Sequence, residues 1–281
     1  MPQQCQECSL EIPVYVGSCP HCARPSLFPN VTDAGQPEKR QALAGRYQQA
    51  CSEASSRGAG GEVHAFAEQV EQNAKVCIAR YAWEVKRLVA SEHHVYGSFY
   101  QEVDAGLRLP EENSWDSLRK VADQIVLPHY QKEIRFGCLS LNNAGPGKYG
   151  EAFLALEKKM IEHRTTLFET NSARYIGDNP GLKELPPGMQ AVWEDRARLA
   201  VAKLAVYIGV GTTAGDFPAI LLKDAPHDGD EYIEAHVYGS ITIRTVGQVT
   251  FSSVVKKEHT RVFFRNIKRK LKIMNIVMEQ R

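Results

Sequence analysis

The sequence predicts an α+β protein that begins with a small cysteine-rich module. Three observations predict this class: two cysteine pairs near the start, helical spacing of apolar residues in the next part of the chain, and short strand-like segments towards the end. Helices followed by a group of short strands are typical of α+β proteins. We expect a cysteine-rich module at 1–28, a linker at 29–61, a helical region at 62–131 and an α+β domain at 132–281.

The composition is that of an ordinary globular protein. Of 281 residues, 43% are hydrophobic and 24% are charged, and no stretch approaches the ~20 apolar residues needed to span a bilayer. The start of the chain lacks the basic and apolar segments of a secretory signal. Seven cysteines, three of them widely scattered, do not match a secreted disulfide framework. We therefore expect a cytoplasmic protein without a membrane span.

The cysteine-rich module has the spacing of a zinc ribbon. Two Cys-x2-Cys pairs, with ten residues between them, supply the candidate metal ligands Cys5, Cys8, Cys19 and Cys22. Four thiolates complete the closed tetrahedral shell of structural Zn2+, so we expect a structural or docking role and no catalysis. His21 is an alternative ligand within the second pair. A redox role would need a βαβ context, which the sequence does not show.

The middle of the chain is predicted to be helical. Residues 29–61 are rich in turn-forming residues and glycine, which indicates a linker that passes into a short helix. Apolar residues then recur at three- and four-residue steps from Val63 to Leu88, the pattern of one amphipathic helix. A second helix is predicted at 114–131.

The last part of the chain carries most of the predicted strands. One helix is expected at 189–208, after a pair of prolines. Strands are expected around it, with a hairpin near Gly239, at 134–141, 150–157, 164–168, 218–223, 231–238 and 240–246.

The segment 231–238 has the most distinctive polar pattern. Alternation in a strand places Ile233, Ala235 and Val237 on one face, and the opposite face then carries Tyr232, Glu234, His236 and Tyr238. A carboxylate beside aromatic rings and an imidazole can hold a sugar hydroxyl and stabilise a developing cation. The alternative is a solvated outer face.

Further polar residues lie where predicted strands meet loops. Arg135 and Arg164 carry guanidinium groups, which grip phosphate oxygens in a bidentate manner. Hydroxyl groups follow the second arginine at Thr166 and Ser172. The alternative for these residues is the exposed end of a surface strand.

Three segments in this order resemble the ADP-ribosyltransferase-like domains of bacterial toxins and related bacterial proteins. They are RFGCLSL at 135–141, RTTLF at 164–168 with Asn171-Ser172, and YIEAHVYG at 232–239, and the similarity covers roughly residues 130–255. In that family a split β-sheet forms the cleft that holds NAD. The resemblance therefore implies a mixed split sheet and NAD as substrate.

The resemblance also implies roles for single residues. Glu234 corresponds to the carboxylate that bonds the ribose 2′-hydroxyl and stabilises the oxocarbenium ion as nicotinamide leaves. Arg135 or Arg164 would contact phosphate, and Thr166 or Ser172 would supply a hydroxyl group. His236 stands two positions from Glu234, where the family carries a second Gln or Glu and where acceptor choice is often decided.

The function implied is NAD-dependent mono-ADP-ribosyl transfer by a toxin or phage-defence effector. The acceptor would be nucleic acid or protein, and a protein antitoxin is a possible partner. The competing hypothesis is a non-enzymatic zinc-ribbon adaptor that binds nucleic acid.

The C-terminal segment is strongly basic. From Lys256 to Arg281 there are nine Lys or Arg and two Glu, a net charge of +7, which leaves about −6 for the remaining residues. Residues 261–274 have apolar side chains at helical spacing with basic residues around them. This pattern predicts a basic amphipathic helix that binds nucleic acid. The alternative is a helix docked on the body with solvated lysines.

Overall fold

The computed structural model describes residues 3–5, 7–13, 16–104, 114–223, 232–252 and 261–280. Its helices are α1 (Pro29–Ala34), α2 (Pro37–Ser56), α3 (Gly60–Asn73), α4 (Ala82–Leu88), α5 (Phe99–Asp104), α6 (Ser114–Val126), α7 (Lys158–Ile161), α8 (Ser172–Asp178), α9 (Arg196–Leu204), α10 (Phe217–Leu221) and α11 (Arg261–Ile273). Its strands are β1 (Gln3–Gln4), β2 (Glu11–Ile12), β3 (Lys75–Arg80), β4 (Val95–Tyr96), β5 (Ile134–Ser140), β6 (Ala152–Leu156), β7 (Thr165–Phe168), β8 (Gln190–Val192), β9 (Glu234–Tyr238), β10 (Ile241–Thr242), β11 (Val246–Phe251) and β12 (Val277–Gln280). The predicted α+β class is confirmed.

Eight strands form one mixed sheet in the order β12-β11-β6-β3-β5-β9-β7-β8. Neighbouring strands are antiparallel, except that β11 and β12 are parallel. Two short ladders lie outside this sheet: β1 with β2 in the cysteine-rich module, and β4 with β10. Eight of the described strands are joined into one continuous hydrogen-bonded sheet, so these eight do not form the split sheet that the resemblance implied.

Helices cover both faces of the sheet. On one face, α2, α3 and α9 pack over the larger core, to which the sheet contributes Val76, Leu154 and Leu167. On the other face, α6 and α8 pack over a smaller core that contains Ile134 and Phe168. Strand β9 lies between β5 and β7, in the part of the sheet that has a core on each face. Its polar side chains therefore lie inside the protein.

The prediction of one helix from Val63 to Leu88 is wrong. Helix α3 ends at Asn73, and β3 forms a central strand of the sheet before α4 begins at Ala82. A short apolar run such as 76–79 fits a buried helix and a buried strand equally well. Hydrogen bonding to β5 on one side and to β6 on the other makes this segment a strand. The region 62–131 is thus not purely helical, because it contributes a strand to the sheet.

The segment 29–61 is mostly helical, and its prediction as a linker is wrong. Helices α1 and α2 have Pro29 and Pro37 in their first turns, where proline is well tolerated. The side chain of Leu43 is buried in the larger core. Gly58, with φ of +77°, turns the chain between α2 and α3. The turn-forming residues of this segment therefore mark the ends of helices.

Several smaller predictions also differ from the structure. The segment 218–223 is predicted as a strand but contains most of helix α10, and the predicted helix 189–208 begins as strand β8. Gly239 turns the chain with φ of +78°, but β10 pairs with β4 and not with β9. The local sequence of such short segments does not specify which distant strand they pair with. Glu231, the first residue of the predicted strand 231–238, lies outside the described residues.

The other predicted elements agree with the structure. The segments 134–141, 150–157, 164–168 and 231–238 contain β5, β6, β7 and β9. The predicted helix at 114–131 is α6, and the C-terminal helix is α11. In the described ranges, no helix has both the length and the apolar character needed to cross a membrane.

Candidate functional site

The four cysteines of the N-terminal module lie together and can hold a metal ion such as zinc. Their Sγ atoms are within 4.8 Å of one another. The Sγ atoms of Cys5 and Cys22 are 3.5 Å apart, and those of Cys8 and Cys19 are 3.6 Å apart. Four sulfurs bound to one Zn2+ at about 2.3 Å are about 3.8 Å from one another. The cluster therefore fits a tetrahedral zinc ion.

The two cysteine pairs form matching backbone turns. The amide of Ser9 donates to the carbonyl of Cys5 over 2.9 Å, and the amide of Ala23 donates to the carbonyl of Cys19 over the same distance. Both Ser9 and Ala23 have φ of 58°, which reverses the chain directly after each pair. His21 donates its backbone amide to the Cys19 sulfur over 3.4 Å. The pairs are thus positioned by local geometry, as their spacing predicts.

A second polar cluster lies inside the body, on the face of the sheet covered by α6 and α8. Strand register places Glu234 opposite Cys138 and Phe168, and His236 opposite Phe136 and Thr166. Glu234 is only 1% exposed and His236 is fully buried. The predicted grouping of these two side chains on one face is confirmed. The alternative of a solvated outer face is wrong, because β9 is an inner strand.

The Glu234 carboxylate has a partner for each oxygen. Its Oε1 accepts hydrogen bonds from the Ser172 hydroxyl over 2.5 Å and from His236 Nε2 over 2.8 Å. Its Oε2 lies 3.4 Å from a guanidinium nitrogen of Arg119. The Ser172 hydroxyl in turn accepts from Arg119 over 2.8 Å. His236 Nδ1 has no hydrogen-bond partner among the described residues.

Helix α6 supplies a part of the cluster that the sequence analysis missed. Arg119 stacks over the Phe136 ring at 4.4 Å and lies 3.5 Å from Asp123, one helical turn further on. Asp123 is fully buried and accepts a hydrogen bond from the Tyr100 hydroxyl over 3.0 Å. An Arg and an Asp four residues apart usually form a solvated helix pair. Only the packing of α6 against the sheet brings this pair to Glu234.

The cluster shifts the pKa values of its two carboxyl groups in opposite directions. Burial alone raises the pKa of Glu234, but the charge of Arg119 and hydrogen bonds from His236 and Ser172 lower it to about 2. Burial also raises the pKa of Asp123, and the nearby Glu234 adds to that increase. Arg119 only partly offsets it, and the pKa of Asp123 is about 6. Glu234 is therefore ionised well below neutral pH, whereas Asp123 takes up a proton only slightly below it.

A cavity of about 140 Å³ opens onto Glu234. Its lining includes Arg80, Arg119, Phe136, Tyr149 and Tyr232. Asn171 holds two of these aromatic walls, since its side-chain amide donates to the Tyr232 hydroxyl over 2.8 Å and to the Tyr149 hydroxyl over 3.1 Å. The same side chain caps α8 by accepting from the amide of Arg174. The cap residue therefore fixes both the helix that carries Ser172 and the shape of the cavity.

The remaining predicted site residues are not all at Glu234. Thr166 is buried beside His236, and its hydroxyl accepts from the Asn30 side chain over 3.3 Å. Arg135 and Arg164 lie towards the opposite end of the strands, where Ile134 pairs with Tyr238. Their guanidinium groups donate to backbone carbonyls, of Glu133 and Tyr96 for Arg135, and of Met160, Tyr238 and Ser240 for Arg164. The structure therefore groups Ser172, Glu234 and His236, and places both arginines elsewhere.

The two arginines line a separate cleft of about 710 Å³ next to the cysteine-rich module. Burial and the charge of Arg135 lower the pKa of Arg164 to about 10. The cleft also contains Glu92, which is ion-paired with Arg244, and Glu133, whose charge favours the protonated form of Arg135. Because its acids offset much of its positive charge, the cleft is a weaker candidate site than the smaller cavity at Glu234.

Comparison with known proteins gives no further assignment. No family model matches the chain, and no curated protein matches it. The resemblance to ADP-ribosyltransferase-like domains therefore stays a prediction.

Proposed function

We propose that the chain is an NAD-dependent mono-ADP-ribosyltransferase in which Glu234 stabilises the cation formed from the ribose. The observation that carries the proposal is a fully buried, ionised carboxylate that faces a cavity with aromatic walls. A fixed negative charge shielded from water interacts far more strongly with a developing positive charge than it would in solvent.

The proposed reaction breaks the bond between C1′ of the nicotinamide ribose and the nicotinamide nitrogen. Both bonding electrons leave with nicotinamide, and positive charge develops on the sugar. A nucleophilic atom of the acceptor then donates an electron pair to C1′ and loses its proton. In this reaction Glu234 accepts a hydrogen bond from the ribose 2′-hydroxyl and opposes the charge at C1′. Ser172 and His236 hold the carboxylate in place through its Oε1 atom.

The cavity dimensions limit how NAD would bind. Sites for drug-sized ligands are about 300–1,000 Å³, so a cavity of about 140 Å³ takes one ring and not a whole dinucleotide. We assign the nicotinamide end to the cavity between Phe136, Tyr149 and Tyr232. Arg119 lines the same cavity but is engaged by Glu234, Asp123 and Ser172, so we assign it the role of counter-charge to Glu234 and assign the phosphate-binding role first expected of Arg135 and Arg164 to Arg80. The rest of the dinucleotide would lie at the mouth, near Arg80.

The test is nicotinamide release from NAD by the purified protein, with cell extract added as a source of acceptor. Glu234→Gln keeps the shape of the side chain and removes its charge, and should slow release by at least about 100-fold. The matched control is Glu169→Gln, which neutralises a carboxyl that is paired with Arg46 outside the cluster. This variant should release nicotinamide at the rate of the unmodified protein.

Equal release by the Glu234→Gln variant and the unmodified protein would refute the role of Glu234. Absence of both release and calorimetric NAD binding would refute the transferase proposal itself. That second result would favour the zinc-ribbon adaptor, which predicts nucleic-acid binding without NAD chemistry.

A further inference from the structure

The outer face of α11 is a row of cations that have no acidic partner within the part of the chain that the structure describes. Its inner side chains Ile267 and Leu271 are buried in the larger core, so the helix is docked on the body. The exposed side carries Arg265, Lys268, Arg269 and Lys272. None of these four has an ion pair with another described residue. Docking therefore uses the apolar face and leaves the positive charge free for a partner.

Helix α4 extends this surface and adds exposed aromatic rings. Lys86 Nζ lies 5.7 Å from the centre of the Phe263 ring, which places α4 beside the start of α11. Lys86 and Arg87 are exposed. Tyr81 is 49% exposed and Trp83 is 55% exposed, although both rings are large and apolar. Cations interleaved with exposed aromatic rings are typical of surfaces that bind single-stranded nucleic acid.

Sheet register connects the two helices to one edge of the molecule. Arg80 at the end of β3 is opposite Ala152, and Ala152 is opposite Phe251 on the next strand. The Phe251 ring contacts Phe264 of α11 at 5.3 Å. Tyr81 and α4 directly follow Arg80 in the chain. Tyr81, α4 and the first turn of α11 thus lie at one end of the sheet, and the remaining cations of α11 follow along that helix.

Acidic side chains near this end are already engaged. Glu84 lies 3.8 Å from Arg80 and accepts from the backbone amide of Tyr81. Glu151 accepts from the backbone amide of Ala82 over 2.8 Å. Arg80 itself lines both the Glu234 cavity and a groove of about 220 Å³ that contains Trp83 and Arg87. The groove beside the α4 segment and the Glu234 cavity are therefore adjacent, with Arg80 between them.

We propose that the surface formed by Tyr81, Trp83, Lys86 and Arg87 of the α4 segment, with Arg265, Lys268, Arg269 and Lys272 of α11, binds single-stranded nucleic acid. The cations contact the phosphates, and Trp83 and Tyr81 stack on unpaired bases. In a duplex the bases are stacked on one another, so the phosphates can contact the cations but no base face is free to stack on Trp83 or Tyr81. This proposal concerns binding alone and does not depend on transfer chemistry at Glu234.

The test is fluorescence anisotropy of the full chain with labelled single-stranded DNA and RNA of about 16 nucleotides. Trp83→Ala should weaken binding to single strands by about tenfold, because one stacking contact is lost. Lys268→Gln with Arg269→Gln should lower the slope of log affinity against log salt by roughly 1.4, since two phosphate contacts are lost. Comparing the DNA and RNA oligonucleotides shows which sugar the surface prefers.

The matched control is Lys159→Gln with Lys183→Gln, which removes two exposed cations away from this surface and should leave affinity and slope unchanged. Glu234→Gln should bind the single-stranded oligonucleotides with unchanged affinity. Nucleic-acid binding can therefore fail or succeed independently of the proposed NAD chemistry. Tighter binding to duplex than to single strands would overturn the inference. Binding to anionic vesicles but not to oligonucleotides, or no effect of either surface variant, would overturn it too.

Discussion

The cysteine cluster and the Glu234 cluster are both sets of chemically strong groups, but they are built in different ways. The four cysteines lie within 18 consecutive residues, and matching local turns bring them together. The Glu234 cluster takes Arg119 and Asp123 from α6, Ser172 from α8, and Glu234 and His236 from β9. The first is encoded by spacing, whereas the second exists only after the sheet has formed and the helices have packed on it.

This difference has an energetic consequence. The cysteine-rich module needs a metal ion bound by its cysteines to fold, because four sulfurs and a few apolar side chains would make too small a core on their own. The Glu234 cluster needs the opposite conditions, since its charges are buried and must be paired to be tolerated. Removing the metal and removing one charge should therefore damage different parts of the molecule, and four experiments test this separation.

Metal removal should have the largest effect, confined to the cysteine-rich module. Structural zinc contributes apparent binding energies of about 10–16 kcal/mol in small zinc modules, so a strong chelator should unfold residues 3–28. Limited proteolysis should then cut within this segment, while circular dichroism keeps the helical signal of the body. Cys8→Ser should give the same pattern without a chelator. Loss of the helical signal together with the metal would show that the two regions fold as one unit.

Arg119→Met should have the next largest effect, on the stability of the body. The substitution leaves Glu234 buried without its counter-charge, which typically costs about 3–5 kcal/mol. Urea unfolding measures this loss. The double variant Arg119→Met with Glu234→Gln should recover part of it, because the unpaired charge is then absent.

Arg174→Met is the control for this comparison, because it removes an exposed ion pair with Asp178 and should cost below about 1 kcal/mol. A double variant no more stable than Arg119→Met would contradict the role of the buried charge.

The pH dependence of the free energy of unfolding should reveal the protonation of the Asp123 carboxyl. Its folded pKa of about 6 lies above the ordinary value of 3.8, so the proton stabilises the fold below pH 3.8, and this contribution is lost as pH rises through 6. Glu234 has the opposite sign: its contribution is present above pH 4.5 and lost as pH falls through 2. The stability of Asp123→Asn relative to the unmodified protein should therefore rise by roughly 2 kcal/mol between pH 4 and pH 7.

Urea midpoints measured across that pH range test this prediction. Asp178→Asn, at a side chain that is 66% exposed, should follow the unmodified protein at every pH. An Asp123→Asn curve parallel to that of the unmodified protein would show that Asp123 does not titrate in this window.

Asn30→Ala should have the smallest effect of the four. The buried Asn30 amide donates to the Arg164 carbonyl, the Thr166 hydroxyl and the His236 carbonyl, and so ties α1 to β7 and β9. Its loss should cost about 2 kcal/mol in urea unfolding, since buried polar groups lose their partner. Asn73→Ala, which removes an exposed bond to Gln69, should change stability far less. Equal effects of the two substitutions would show that the Asn30 hydrogen bonds do not hold α1 on the sheet.

The sequence by itself determined the parts of the protein that depend on near neighbours. The cysteine spacing predicted the metal cluster, and alternation in 231–238 put Glu234 and His236 on one face. Helical spacing predicted α6 and α11, and local apolar alternation predicted β5, β6 and β7. In each case the signal comes from residues a few positions apart, where backbone geometry fixes which side chains are neighbours.

The tertiary structure decided what depends on long-range pairing. It made 75–80 a central strand within a region predicted as helix, buried the polar face of β9, and brought Arg119 and Asp123 to Glu234. It also moved Arg135 and Arg164 away from the proposed NAD site, to the other end of the strands. The physical reason is that a short apolar or polar run has the same local pattern on an edge strand, on a central strand or on a helix. Only sheet order and helix packing decide which side chains lose contact with water and which charges meet.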